Sequence, residues 1–204
     1  MKKIIAISIL LITIAPFYSC KKNVKKEVKT IEKGYSVEPK TTTINWIAYK
    51  TTSKIPVKGQ FTKVTIENTE KASTAIEALN GLKFKIPVSS LFTKDTIRDR
   101  KLKNFFFGSM KDTNQISGII TMNNETSGSV ELVMNGISQV LPITYVISDQ
   151  MVTIEAIMNL DNWQAQIALE ALNTVCKDLH SGADGVSKTW SEVKIEVATY
   201  LKYE

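Results

Sequence analysis

The chain contains one histidine, His180, with Cys176 four residues before it and Asp184 four residues after it. Side chains four apart stack on one face of a helix, and a thiolate, an imidazole and a carboxylate are zinc donors. Gly182, however, ends a helix before Asp184 is reached, and the two donors left do not make a closed site. The residues are therefore read as a buried cysteine and a capping histidine, with no metal. A single histidine offers no partner for an imidazole relay, and the chain has neither a nucleophile elbow nor a glycine-rich phosphate loop. Carboxylates brought together by the fold are the one remaining route to hydrolysis. The expectation is a non-enzymatic protein with no catalytic residue and no cofactor.

A different chemistry is suggested at Cys20. Met1-Lys2-Lys3 is positively charged, Ile4 to Phe17 is nearly all apolar, and Tyr18-Ser19-Cys20 follows as a short cleavage region, in the order of a secretory signal peptide. The apolar run of about 14 residues is shorter than a membrane-spanning helix needs. Ser19-Cys20 resembles the lipobox of bacterial lipoproteins, which implies that Cys20 is lipidated and becomes the mature N-terminus. The division expected is a signal peptide over 1–19, a lysine-rich lipidated tether over 20–34 and one domain over 35–204. The product would be exported and held on a membrane, facing the periplasm. Cys176 is then an unpaired thiol, and stability rests on a core instead of disulfides.

The formal net charge of +6 belongs to the leader and tether, because from Gly34 onward 18 basic residues face 18 acidic ones. A neutral domain is not expected to bind nucleic acid. The tether lysines suit either contact with anionic headgroups or a solvated spacer. Arg98, Arg100, Lys101 and Lys103 form a local cationic group that suits a phosphate or carbonyl head, or a solvated turn balanced by Asp95 and Asp99. Phe105, Phe106 and Phe107 follow directly and cannot all be buried on one face, so an apolar opening or a plug is expected there.

These residues need a scaffold, and its signal is alternation with period two. Ile44, Trp46 and Ala48 share a face; so do Val64 and Ile66, and then Leu82, Phe84, Ile86 and Val88. The pattern recurs in Ile116 to Met122, Val130 to Met134, Ile143 to Ile147, Val152 to Leu160 and Val193 to Leu201, giving eight strands. Their other face carries Lys83, Lys85, Thr153, Glu155, Lys194 and Glu196, so the sheet is antiparallel with one wet side. Before the last strand, Trp163, Ile167, Ala171, Leu172, Val175 and Leu179 form a helical stripe, with Asp161 or Asn162 as cap. A weaker helical turn is expected over Ala72 to Leu79. The pattern alone is compatible with a closed barrel and with a two-sheet sandwich.

Tyr35-Ser36-Val37-Glu38-Pro39, Ile44-Asn45-Trp46 and Val57-Lys58-Gly59-Gln60-Phe61, together with Val88 to Thr93, Arg98-Asp99, Leu102 and Phe105-Phe106, resemble the YceI-like family of exported bacterial proteins. The likeness runs from about Tyr35 to Tyr203. Lys101 stands where the family has histidine, and Gln139-Val140 where it has Lys-Pro. The resemblance implies a lipocalin-like barrel that binds a polyisoprenoid-type chain; joined to the pattern above, the expectation is an eight-stranded antiparallel lipocalin-like barrel with one α-helix inserted before the last strand.

An eight-stranded barrel is just wide enough to be filled by side chains or to hold one small ligand. Small Ala48, Gly118 and Ala156 among the inward residues argue for space. The expected ligand-binding residues are Trp46, Phe84, Ile120, Leu132, Tyr145, Ile154, Ala156 and Met158, with Phe105 and Phe106 at the opening. The function expected is binding, transport or storage of an isoprenoid- or quinone-like lipid in the cell envelope. An enzyme using the same barrel, or a ligand-free structural protein, are the alternatives.

Overall fold

A computed structural model describes residues 33–204. The expected signal peptide, Cys20 and the tether as far as residue 32 lie outside the described residues. Ten strand segments are present: β1 (Tyr35–Lys50), β2 (Ile55–Phe61), β3 (Thr65–Glu67), β4 (Lys83–Pro87), β5 (Leu91–Phe92), β6 (Gln115–Met122), β7 (Ser127–Met134), β8 (Ile137–Ser148), β9 (Met151–Asn159) and β10 (Thr189–Tyr203). They form one antiparallel sheet in the order β3-β4-β6-β7-β8-β9-β10-β1-β2-β5.

The two ends of this order are joined by the chain itself. β2 and β3 are one run broken at Thr62 to Val64, and β4 and β5 another broken by a 3₁₀ turn at Val88–Ser90. At the break the Thr62 amide donates to the Ser90 carbonyl at 3.0 Å, and the Ser90 hydroxyl donates to the Pro87 carbonyl at 2.7 Å. The ten segments therefore make eight runs, and the sheet curls into a lipocalin-like barrel with its seam at that contact.

Alternation dictates which side faces in. Along β9, Val152, Ile154, Ala156 and Met158 are buried while Thr153, Glu155 and Ile157 are exposed. In β1 a bulge between Glu38 and Thr43 shifts the phase, so that Val37 before it and Ile44 and Trp46 after it are all buried. Pro39, which has no N–H to give a ladder, sits within it. There the Thr41 hydroxyl accepts the Tyr200 amide at 3.0 Å.

Helices cover both ends. α1 (Ala75–Leu79) packs against β1 and β6 and is held by a capping box: Thr74 Oγ1 accepts the Glu77 amide, and Glu77 Oε2 accepts the Thr74 amide, both at 3.1 Å. At this end Gly34 donates to the Glu204 carbonyl at 3.0 Å. The opposite end is covered by α2 (Thr96–Lys101), α3 (Gln166–Val175) and α4 (Lys177–His180). Asp95 caps α2, its Oδ1 accepting the Ile97 and Arg98 amides at 3.0 Å each. α2 continues into a wide π-helical turn over Leu102–Phe106 and a 3₁₀ turn over Phe107–Ser109. No helix among the described residues is long and apolar enough to cross a membrane.

Two expectations about helices are corrected. The segment expected as a charged turn followed by an apolar loop is helical from Thr96 to Ser109, because Asp95 satisfies its first amides and Leu102, Phe106 and Phe107 pack onto the barrel end. The stripe before β10 is out of phase with the one expected: Ala165, Ala168, Leu172 and Cys176 are buried, whereas Ile167 is 73% and Leu179 61% exposed. Trp163 belongs to a separate 3₁₀ turn ended by Gln164 in the left-handed region, so it does not set the helix phase. Neither Asp161 nor Asn162 caps α3, whose N-cap position is held by Ala165 with no side-chain hydrogen bond; Asn159 caps the preceding turn instead.

Candidate functional site

Inside the barrel three chambers adjoin in series from the α2–α4 end inward. The outer one, about 200 Å³, is walled by Tyr49 and Lys50 of β1, Arg98 and Lys101 of α2, and Cys176 and His180 beside α4. The middle one, about 110 Å³, lies among Phe61, Phe106, Phe107, Leu172 and Trp190. The deep one, about 150 Å³, is lined by Phe84, Ile120, Leu132, Ile154, Ala156 and other aliphatic side chains. Trp46, Ala48, Leu102, Leu172 and Thr189 wall both the outer and the middle chamber. Phe61, Ile116, Met134, Met158 and Ile195 wall both the middle and the deep chamber. A cavity near 150 Å³ with aliphatic and aromatic walls stays dry and admits a benzene-sized group. Three such spaces end to end suit a narrow apolar chain better than a compact ligand.

Two glycines give the aromatic walls their positions. Trp46 on β1 faces Gly59 on β2, and a Cβ on Gly59 would overlap the Trp46 ring, within 2.7 Å of Cη2. Phe84 on β4 faces Gly118 on β6 in the same way, its Cζ 2.8 Å from where a Cβ would stand. The absent side chains let each ring lie across the neighbouring strand and into the lumen.

The outer chamber carries the polar groups. Lys101 Nζ donates to the Val175 carbonyl at 2.8 Å and Lys50 Nζ to the Leu179 carbonyl at 2.9 Å, so both cations tie the ends of α3 and α4 to the rim. Arg98 pairs with Asp95 at 3.5 Å. His180 Nδ1 lies 2.7 Å from Thr189 Oγ1. Burial first, and then the charges of Lys50 and Lys101, push its pKa down to about 4, so the ring is neutral at pH 7. The Trp46 indole N–H is buried and has no partner among the described residues.

Of the residues singled out from sequence, Trp46, Phe84, Ile120, Leu132, Ile154, Ala156, Met158 and Phe106 line one or more chambers. Tyr145 and Phe105 line none of the three. Tyr145 is buried with its hydroxyl donating to the Asn124 carbonyl in the β6–β7 turn, near the α1 end. Phe105 is 40% exposed on the outside of the π-helical turn, while Phe106 and Phe107 point inward. The outer chamber is bordered by Ile97 of α2 and Leu179 of α4, both more than half exposed, while Phe106 and Phe107 of the phenylalanine run wall the middle chamber.

Sequence reasoning does not find Lys50, Phe61, Thr189 or Trp190 as chamber walls. Phe61 ends the Val57-to-Phe61 stretch and is legible as a motif but not as a wall. Lys50 and Thr189 sit where β1 and β10 leave the ladder, and period-two reading loses its signal there. The buried carboxylate of Asp99 holds the structure together: its Oδ1 accepts the Thr93 amide at 2.8 Å and the Thr93 hydroxyl at 2.6 Å, pinning α2 to the end of β5. Among the described residues no three or more His, Cys, Asp or Glu side chains gather as a metal site.

A family model described as YceI-like domain matches residues 35–200. Among solved structures, the barrel is similar to a polyisoprenoid binding domain from Saccharophagus degradans implicated in plant cell wall breakdown, with a TM-score of 0.60 and 11% identity over 84% of this chain and 99% of that one. It is also similar to BcnA of Burkholderia cenocepacia, with a TM-score of 0.56 and 13% identity over 81% of this chain and 99% of that one. At these identities the likeness is one of fold. No curated protein matches the chain in sequence.

Proposed function

The chain belongs to the YceI-like domain family, and we propose that it is a non-enzymatic carrier or store for an isoprenoid- or quinone-like lipid in the cell envelope. The observation that carries this reading is the series of apolar chambers along the barrel axis, covered at the α1 end and walled by charged residues only at the α2–α4 end. An apolar chain gains about 0.8 kcal/mol for each methylene it buries, so about ten methylenes offset much of the entropic cost of association without a strong polar anchor. The description of the Saccharophagus degradans neighbour as a polyisoprenoid binding domain supports the ligand class.

The envelope location rests on Ser19-Cys20 at the end of the apolar leader. Acylated Cys20 would hold the protein on a membrane, and the domain's balanced charge gives nucleic acid no purchase. Cys20→Ser should abolish incorporation of labelled fatty acid and membrane attachment; attachment unchanged in that variant would refute the anchor. For the ligand, solvent extraction of the purified protein followed by mass spectrometry should release an isoprenoid-containing lipid in near-stoichiometric amount. Protein that yields no lipid and takes up no prenyl compound would refute the carrier reading.

A further inference from the structure

A hydrogen-bond network that reaches the wall of the outer chamber through Thr189 and His180 fixes which nitrogen of His180 holds the proton. Asn173 Nδ2 donates to the Ser187 carbonyl at 3.4 Å, which orients the amide so that its Oδ1 accepts two hydroxyls, Ser187 Oγ and Thr189 Oγ1, each at 3.0 Å. A hydroxyl has one proton to give, and Thr189 gives it to Asn173. Thr189 must therefore accept from His180 across their 2.7 Å contact, which places the proton on Nδ1. Nε2 is left with its lone pair and no donor among the described residues. His180 walls the outer chamber, and the charged groups around the same space are Lys50 of β1, Asp95, which caps α2, and Arg98 and Lys101 of α2.

We propose that His180 Nε2 is a preset acceptor for a hydroxyl head group, so that the lipid carried is an alcohol or a phenol on an apolar chain. This rests on the carrier reading above and adds the head chemistry. A hydroxyl needs an acceptor for its proton and tolerates donors at its oxygen. The chamber meets both needs, with the imidazole lone pair as acceptor and the Lys50 and Lys101 ammonium groups as nearby donors. The unpartnered indole N–H of Trp46, in the wall shared with the middle chamber, is a third donor. An ether or a hydrocarbon end would leave Nε2 unpaired on closing the chamber, a penalty that discriminates against it.

The test compares farnesol with farnesyl methyl ether, which share a chain and differ in the one hydroxyl proton. With the full chain, farnesol should bind about tenfold more tightly, the worth of one hydrogen bond to a group otherwise left unpaired. In His180→Leu, the two probes should bind alike. Because His180 is the sole histidine, its ring nitrogens give a single pair of signals in a long-range proton–nitrogen NMR spectrum. These should show Nδ1 protonated, with Nε2 shifting on farnesol binding and not on ether binding. A protonated Nε2 in the free protein, or equal affinity and equal Nε2 shifts for both probes, would overturn the head-group assignment while leaving the carrier reading standing. If neither probe binds, the carrier reading fails and this assignment fails with it.

Discussion

The indole of Trp46 occupies the space that a side chain on Gly59 would fill, and the two residues face each other across the β1–β2 ladder. Trp46 is one of five residues that wall both the outer and the middle chamber, so this cross-strand pair helps to shape the outer half of the lumen. Gly59→Ala would overlap the ring and force it to shift, and overpacking of this kind costs about 1–3 kcal/mol. Urea unfolding should report that loss, and the same variant should bind a fluorescent prenyl probe more weakly than the parent. An alanine there with parental stability and uptake would show that the ring moves freely.

Asp99 is expected to act on stability through Thr93. Asp99→Ala leaves a buried backbone amide and a hydroxyl without their acceptor, a loss of about 2–4 kcal/mol for two groups. The urea midpoint should fall accordingly. Thr93→Val, which removes only the hydroxyl contact, should fall by less.

Acidification should weaken the fold partly through His180. Its folded pKa of about 4 lies below the ordinary 6.5, so between those values the unfolded chain carries a proton that the folded chain lacks. Stability from this group is fully present above pH 6.5, falls as the pH drops through the window, and is gone below about 4. His180→Gln should show a smaller loss between about pH 7 and about pH 4.5 than the parent when both are unfolded in urea. Equal losses would place the histidine outside the linkage.

The strands are legible in the sequence because lining a lumen on one side and water on the other imposes a strict period. Val152, Ile154, Ala156 and Met158 face the lumen while Thr153 and Glu155 face water, and only alternation serves both surfaces. The end-covering helices are less legible. α2 and its π-helical continuation bury only Asp99, Phe106 and a flank of Leu102, with no repeated stripe to read. The α3 stripe differs in phase from the sequence reading because Trp163, fully buried with Nε1 donating to the Leu132 carbonyl at 3.0 Å, anchors the preceding turn. The deep wall of the candidate site follows from strand parity. The outer chamber does not, since Lys50, Arg98, His180 and Thr189 come together only through the packing of strand ends and short helices.

Ala156 faces the deep chamber while its neighbour Glu155 lies outside, paired with Lys194 at 3.1 Å. Equilibrium titration of a fluorescent prenyl probe into the full chain, its Ala156→Trp variant and its Glu155→Gln variant tests the carrier reading most directly. Met158→Ala, which enlarges the lumen, guards against reading a folding failure as a blocked site. Saturable uptake is expected for the parent and for Glu155→Gln, with uptake retained in Met158→Ala. In Ala156→Trp, where the indole fills the chamber, affinity should fall at least about tenfold. Parental affinity in a folded Ala156→Trp variant, or no uptake by the parent, would contradict the carrier reading.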